Sequence, residues 1–122
     1  MKAWAALGLA LSALGEQDAA EKTFKEAARL GPQRAPAFLN LSLMYRSRQN
    51  FAEAVEHARK AIVASPKHPE GYKLLGLIYY EAGQEQESLS AFRESLRLLP
   101  DQPDILSLVR NIESEESEGE GE

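Results

Sequence analysis

Cysteine is absent from this 122-residue sequence, and histidine is rare. Without a thiol the chain can form no disulfide, no thiolate metal site and no cysteine nucleophile, which is compatible with a reducing compartment. The two histidines, His57 and His68, lack the i, i+4 spacing that binds a metal from one helix face, and both are expected on the surface. The sequence also contains no glycine-rich phosphate loop, nucleophile elbow or HExxH motif. We therefore predict that the chain is not an enzyme and has no catalytic residues, no metal site and no cofactor.

A surplus of positive charge is missing as well. The formal net charge is -5, and the six Glu among residues 113–122 account for it. Residues 1–112 hold 14 positive against 13 negative side chains, so the body of the chain is close to neutral. Nucleic-acid binding depends on a basic face that releases counterions from phosphates. Nucleic acid is therefore excluded from the predicted partners, and a membrane is not expected as a partner either.

The sequence does contain a repeat with a step of 34 residues. Three classes of side chain recur in that step: an aromatic ring, small residues and a proline. The positions are Trp4, Phe38 and Tyr72; Gly8, Ser42 and Gly76; Ala20, Ala54 and Ser88; and Pro32, Pro66 and Pro100. A period of this length with such a pattern indicates a solenoid built from helix-turn-helix units.

The stretch after the third repeat has a different pattern. Ile105, Leu106, Val109 and Ile112 recur at helical spacing with polar residues between them. This pattern predicts one amphipathic helix over residues 103–113, which closes the array with a polar outer face. Residues 114–122 contain no apolar side chain and are rich in carboxylates, so they are expected to be a disordered acidic tail.

The repeats resemble the tetratricopeptide repeat family. The first repeat places Trp4, Gly8, Ala20, Phe24 and Pro32 at marker positions of that family. The resemblance divides the chain into three repeats, residues 1–34, 35–68 and 69–102, followed by the closing helix and the tail. It implies an all-α fold, a right-handed superhelical α-solenoid of antiparallel helix pairs. In such a solenoid the first helices of the repeats line a concave face that binds partners.

The departures from the family pattern concern the contacts between helices. Ser42 stands where the pattern has Gly, and Ala58 stands where the other repeats have the bulky Phe24 and Phe92. Small residues allow the two helices of one repeat to approach closely, and large ones fill the spaces between layers. Six large side chains are expected in this core: Trp4, Phe24, Leu41, Tyr45, Tyr79 and Phe92.

The resemblance also implies a binding site on the first helices of the repeats. Projecting the family geometry onto this chain places nine residues in the concave groove: Ala5, Leu9, Leu39, Asn40, Leu43, Arg46, Lys73, Leu77 and Tyr80. Their aliphatic majority predicts a groove for the apolar face of a helix or an extended apolar peptide, with Arg46 and Lys73 as polar guides. The predicted function is a protein-protein interaction scaffold within a larger assembly. The alternative for the leucines is that they belong to the core between repeats.

A carboxylate clamp is disfavoured by the same comparison with the family. Family members that hold the C-terminal carboxylates of heat-shock chaperones use Lys, Asn and Arg side chains at five positions. The matching positions of this sequence are Ala5, Leu9, Asn40, Glu70 and Leu74. Because only Asn40 suits that chemistry, the predicted ligand is an apolar segment and not a free C-terminus.

The stretch from Met1 to Leu14 is apolar on all sides, although the first helix of a solenoid usually exposes a polar face. Three covers for it are open: an upstream repeat, a partner or second copy of the chain, or none because the stretch up to Gly15 is a signal peptide. The second cover defines an alternative function, a structural building block that self-associates as a homo-oligomer through this helix. The expected location is cytoplasmic, or exported if the signal-peptide interpretation holds.

Overall fold

A computed structural model describes residues 15–29 and 34–120, and the predicted all-α fold is confirmed for them. None of the described helices is long and apolar enough to cross a membrane. The predicted first helix, with Trp4, Ala5 and Leu9, lies outside the described residues. The helices are α1 (Gln17–Arg29), α2 (Arg34–Ser47), α3 (Phe51–Ala64), α4 (Pro69–Glu81), α5 (Glu85–Leu98) and α6 (Pro103–Glu120).

Consecutive helices pack against each other along the chain. Three-residue turns, residues 48–50 and 82–84, join α2 to α3 and α4 to α5, and each of these pairs is antiparallel and closely packed. The pairs also contact the helices beside them, since α1 packs on α2, α3 on α4 and α5 on α6. Such nearest-neighbour stacking is the arrangement of a helical solenoid.

The turns repeat the same backbone geometry at the 34-residue step. Gly15, Gln49 and Gly83 occupy equivalent positions, with φ of 84°, 62° and 81°. In the second turn the N–H of Asn50 donates to the carbonyl of Tyr45 at 2.9 Å, which closes the helix end as in a Schellman motif. Gln49 is the only non-glycine with positive φ among the described residues, at a cost of about 1 kcal/mol. The second turn therefore keeps the positive φ although Gln49 stands in the place of glycine.

Five of the six large side chains expected in the core are confirmed as buried, the sixth, Trp4, being outside the described residues. They are Phe24, Leu41, Tyr45, Tyr79 and Phe92. One apolar cluster runs from α1 to α5, and a second joins α5 to α6. His57, which was expected on the surface, is half-buried there, and its ring centroid lies 5.0 Å from that of Tyr45.

The departures Ser42 and Ala58 explain each other. In the third repeat a Cβ placed on Gly76 would lie only 2.4 Å from Cδ1 of Phe92, so the ring requires glycine on the facing helix. In the second repeat the position equivalent to Phe92 is Ala58, and the position equivalent to Gly76 can then hold the larger Ser42. Both Ser42 and Ala58 are completely buried. The two helices of a repeat thus approach closely with either combination.

Serine hydroxyls in these contacts bond to the backbone of the facing helix. Ser42 on α2 donates to the carbonyl of Ala54 on α3 at 2.7 Å, and Ser88 on α5 donates to the carbonyl of Gly76 on α4 at 2.8 Å. A buried hydroxyl without a partner would cost about 1–3 kcal/mol, so these bonds make serine tolerable where the family pattern has glycine or alanine. The serines therefore fit the fold without disturbing the helix contact.

The last helix covers the end of the array. Ile105, Val109 and Ile112 of α6 pack on Leu89 and Phe92 of α5. The linker before α6 contains a buried amide that the sequence analysis did not identify. The Nε2 of Gln102 donates to the carbonyls of residues 95 and 99 at 3.0 and 2.8 Å, which adds a side-chain bond to the backbone bonds that close the end of α5.

The expected end of α6 at residue 113 is wrong, because the helix continues to Glu120. The disorder predicted for residues 114–122 is therefore not found as far as Glu120. Glu is a good helix former, and the amide of Gln86 on α5 donates to Glu116, so this segment gains both intrinsic and tertiary support. The absence of apolar residues excluded core packing but did not exclude a helix.

A polar contact links α1 to the second repeat. The hydroxyl of Tyr45 donates to Oε1 of Glu21, which also lies 3.7 Å from both Lys25 Nζ and Arg48 Nη1. The bond from Tyr45 lowers the pKa of Glu21 below its ordinary value of 4.5, against the opposing effect of burial. Burial and this bond together raise the pKa of Tyr45 to about 12. Both shifts mean that folding favours the ionised Glu21 and the protonated Tyr45.

Replacing Gly76 by Ser should destabilise the protein by about 1–3 kcal/mol through overpacking, and Phe92→Ala should cost about 3–5 kcal/mol through the cavity it leaves. The double variant should be less destabilised than the sum, since alanine at position 92 makes room as Ala58 does beside Ser42. Urea unfolding of the four proteins measures the coupling free energy. Strictly additive losses would contradict the proposed exchange between the two positions.

Tyr45→Phe should lower the free energy of unfolding by about 1–2 kcal/mol at neutral pH, because the hydrogen bond to a carboxylate is lost. The Glu21 contribution is full above its ordinary pKa of 4.5 and is lost as pH falls below it. The Tyr45 contribution is full below pH 10 and is lost as pH rises towards about 12. Denaturation of both proteins between pH 3 and 12 should show the largest difference between about pH 5 and 10. A difference that does not change with pH would disprove this origin.

Candidate functional site

An apolar groove lies between α2 and α4, the first helices of the second and third repeats. It encloses about 210 Å³. From α2 the lining residues follow each other at spacings of four and three, and from α4 at three, one and three, so each set lies on one face of its helix. We define the groove by its lining: Leu39, Leu43 and Arg46 from α2, and Glu70, Lys73, Leu74 and Leu77 from α4.

The leucines of the groove differ in how much of each is already covered. Leu74 is buried, while Leu39 and Leu77 are half-buried and pack on the two core clusters. Leu43 is 43% exposed, although it is a large apolar side chain on a helix of the core. The leucines of the groove floor thus pack between the repeats and also form part of the surface. Leu43 is the apolar side chain of the groove that is most open to a ligand.

Both predicted polar guides are engaged in ion pairs within the chain. Arg46 is held by Glu81 of α4 through Nε, which lies 2.9 Å from Oε1 and 3.0 Å from Oε2. Hydrogen bonding to Glu81 raises the pKa of Arg46 above its ordinary value. Lys73 lies with its Nζ 3.0 Å from Oδ2 of Asp104, at the start of α6. These pairs neutralise the two cations and leave the rim of the groove polar but nearly uncharged there.

Five of the nine residues predicted at the site, Leu39, Leu43, Arg46, Lys73 and Leu77, come together in the groove. The other four do not line it. Two of them, Asn40 and Tyr80, lie on the described helices beside it, with Tyr80 37% exposed, and Ala5 and Leu9 lie outside the described residues. A further depression of about 380 Å³ continues from the groove past Arg46 and is lined by Leu43, Arg46, Ser47 and Glu81.

Two acidic residues lie at the groove, and only one of them was expected from the sequence. Glu70, which matches a clamp position of the family, lines the groove one helical turn before Lys73 and Leu74. Asp104 lies on a different helix from Lys73, and nothing in the local sequence indicates that contact. In the part of the chain that the structure describes, no group of three His, Asp or Glu side chains is placed to hold a metal ion.

Comparison with known proteins gives the same fold. The family model described as tetratricopeptide repeat matches residues 5–69 and 39–103. The general transcriptional corepressor ssn6 of Schizosaccharomyces pombe is 29% identical over 101 residues, which are 83% of this chain but 9% of the corepressor. The chain therefore spans less than a tenth of the length of that relative.

Solved structures show the same likeness at low sequence identity. The Sgt2 TPR domain from Aspergillus fumigatus has a TM-score of 0.84 and 17% identity, over 99% of this chain and 82% of that domain. The first TPR of Spaghetti (RPAP3), bound to the HSP90 peptide SRMEEVD, has a TM-score of 0.82 and 16% identity, over 94% of this chain and 91% of that one. These likenesses extend along the whole described chain and confirm the helical solenoid.

Lys73→Met should raise the pKa of Asp104 towards its ordinary value of 3.8, because the hydrogen bond from Lys73 is the main cause of the lowered pKa. A titration of the Asp104 carboxyl carbon by NMR measures the change. Lys67→Met is the matched control, since Lys67 lies in the exposed loop before α4. An unchanged pKa in the Lys73 variant would show that the two side chains do not pair in solution.

Proposed function

This chain belongs to the tetratricopeptide repeat family, and from that premise we propose that it is an interaction scaffold whose groove binds an apolar segment of a partner protein. The observation that supports the proposal is the exposure of Leu43 in a floor of leucines. A solenoid has no need to leave such a side chain in water, and an apolar patch framed by polar groups is typical of a protein-binding surface.

The dimensions of the groove suit a peptide or one face of a helix. Its volume of about 210 Å³ is several times the roughly 30 Å³ that one water molecule takes up in the liquid, so it can accept apolar side chains. The leucines of α2 and α4 repeat along the helices, and an amphipathic helix presents its own apolar residues at the matching spacings i, i+3, i+4 and i+7. The depression past Arg46 offers room for the ligand to continue.

The rim favours an apolar ligand over a free carboxylate. The solved neighbour with the HSP90 peptide holds a ligand that ends in acidic residues. In this chain the two family clamp positions on α4 are Glu70 and Leu74, and both line the groove. A terminal carboxylate would there meet a like charge and an aliphatic side chain.

The ion pairs of the rim can act as adjustable polar guides. The Arg46–Glu81 and Lys73–Asp104 pairs are partly exposed, and pairs of this kind contribute about 0–1 kcal/mol. A partner that brings its own carboxylate or carbonyl beside the groove could exchange with Glu81 or Asp104 at little cost. The leucines would then supply the affinity and the two cations the orientation.

Leu43→Glu should weaken the binding of an apolar helical peptide by more than about tenfold, because the new carboxylate would be desolvated under the ligand. The probe is a fluorescein-labelled amphipathic peptide with leucines at i, i+3, i+4 and i+7, and fluorescence anisotropy measures its Kd. Lys60→Glu, which changes charge on an exposed face of α3, is the control and should bind as wild type does.

The stability of the Leu43 variant must be measured alongside by circular dichroism. If the variant is folded and binds the peptide as tightly as wild type, the partner uses another surface. If it is unfolded, Leu43 belongs to the core, and the half-exposed side chain has a structural role only.

A further inference from the structure

A second surface of the chain combines an aromatic floor with positive charge. It lies between the beginning of α2 and the second half of α3, and encloses about 520 Å³. We call it the basic cleft and define it by its lining, which is Arg34, Phe38, Glu56, Arg59, Lys60 and Val63. Arg34 and Phe38 lie about 140° around α2 from Leu39 and Leu43, so the basic cleft and the groove use different faces of the same helix.

The floor of the basic cleft is apolar and partly open. Val63 is 80% exposed, the largest exposed fraction among the large hydrophobic residues of the described chain. Beside it the ring of Phe38 lies under two cations, with the Arg34 guanidinium carbon at 5.8 Å and Lys60 Nζ at 5.9 Å from its centroid. These distances are within the range of cation–π interactions.

The described part of the chain neutralises only one of the three cations of the cleft. Glu56 is the only carboxylate among the lining residues and pairs with Lys60 at 3.2 Å. Arg59 donates to the hydroxyl of Tyr79, a neutral acceptor. Over residues 15–29 and 34–120, no carboxylate forms an ion pair with Arg34 or Arg59. Two cations therefore remain beside the exposed Val63 and the largely buried Phe38, in a protein whose net charge is -5.

A depression next to the basic cleft is also lined by cationic and aromatic side chains. It encloses about 270 Å³, shares Phe38 and Lys60 with the basic cleft, and adds Lys25, Arg29 and His57. Lys25 and Arg29 are paired with glutamates of α1 but remain well exposed, at 56% and 72% of their side chains. The positive surface thus continues from α3 across to α1.

We propose that the basic cleft binds an acidic peptide segment of a partner protein that carries an apolar side chain. The carboxylates complement Arg34, Arg59 and Lys60, and the apolar side chain covers Val63 and Phe38. A nucleic acid fits less well, because the cations form one small cluster on a chain of negative net charge, and long phosphate chains need an extended basic face. The binding energy comes from rim charges over an apolar floor, so it should fall with rising salt.

Of the acidic side chains near the end of α6, the described Glu116 lies away from this cleft. Glu116 of α6 is held by Gln86 at the beginning of α5. Because α5 runs parallel to α3, Gln86 lies level with the beginning of α3. The basic cleft lies beside the end of α3. The 14 residues of α3 separate the two places by about 20 Å. Glu116 is therefore not the ligand of the basic cleft.

The test uses a fluorescein-labelled peptide, Glu-Glu-Phe-Asp-Glu-Glu, and the whole chain. The double variant Arg34→Glu/Lys60→Glu should weaken binding about tenfold or more, since two attractive contacts become repulsive. The matched control, Lys22→Glu/Arg93→Glu, makes the same change of charge on exposed residues elsewhere and should bind as wild type does. Should charge reversal prevent folding, Arg34→Gln/Lys60→Gln replaces it, with a loss of about threefold or more.

Three results would overturn the proposal. Equal weakening by the two double variants would mean that only net charge matters. A peptide with glycine in place of phenylalanine that binds equally well would remove the role of the apolar floor. Tighter binding of a single-stranded RNA oligonucleotide, or of a peptide with the sequence of residues 113–122, would assign the cleft to nucleic acid or to a second copy of the chain.

Discussion

The close approach of the two helices within the second and third repeats is the contact on which the rest of the structure depends. In the third repeat the backbone of Gly76 lies against the ring of Phe92, and no side chain can be added there without displacing the ring. The second repeat reaches the same approach with Ser42 and Ala58. The requirement is thus for a limited total volume at the contact, and either helix can supply the small residue. Because protein interiors are packed as densely as organic crystals, the summed volume of the two facing side chains can vary only a little.

This contact also decides which side chains are left for binding. Once α2 is fixed against α3 by Ser42, the helical period turns Leu41 and Tyr45 into the core, and it directs Leu39 and Leu43 towards α4. The remaining face presents Arg34 and Phe38 beside the end of α3. The two surfaces described for α2 therefore follow from one packing contact and the 3.6-residue period, and neither needs an irregular segment.

The sequence predicts the fold well, because each repeat has the same classes of side chain at equivalent positions. Buried Phe24 and Phe92 and the positive φ at Gly83 follow directly from the 34-residue step. Local polar contacts are harder to predict. The Arg46–Glu81 pair joins residues that are 35 positions apart on different helices. Which acidic residue Arg46 contacts depends on side-chain conformation. The lack of apolar side chains after residue 113 indicates only that this segment does not pack into the core. Helix propensity acts without packing, and α6 continues to Glu120.

The pair between Lys73 and Asp104 brings the last helix to the edge of the groove. Covering the final repeat requires only the apolar side chains of α6, of which Ile105 and Ile112 are almost completely buried on α5. Asp104 precedes Ile105 and points its carboxylate across to Lys73 on α4, where it completes the rim of the groove. The burial of Ile105 therefore positions Asp104, and through it the charge beside the leucines. The closing helix and the groove are joined by one ion pair, so the end of the solenoid is also part of the proposed site.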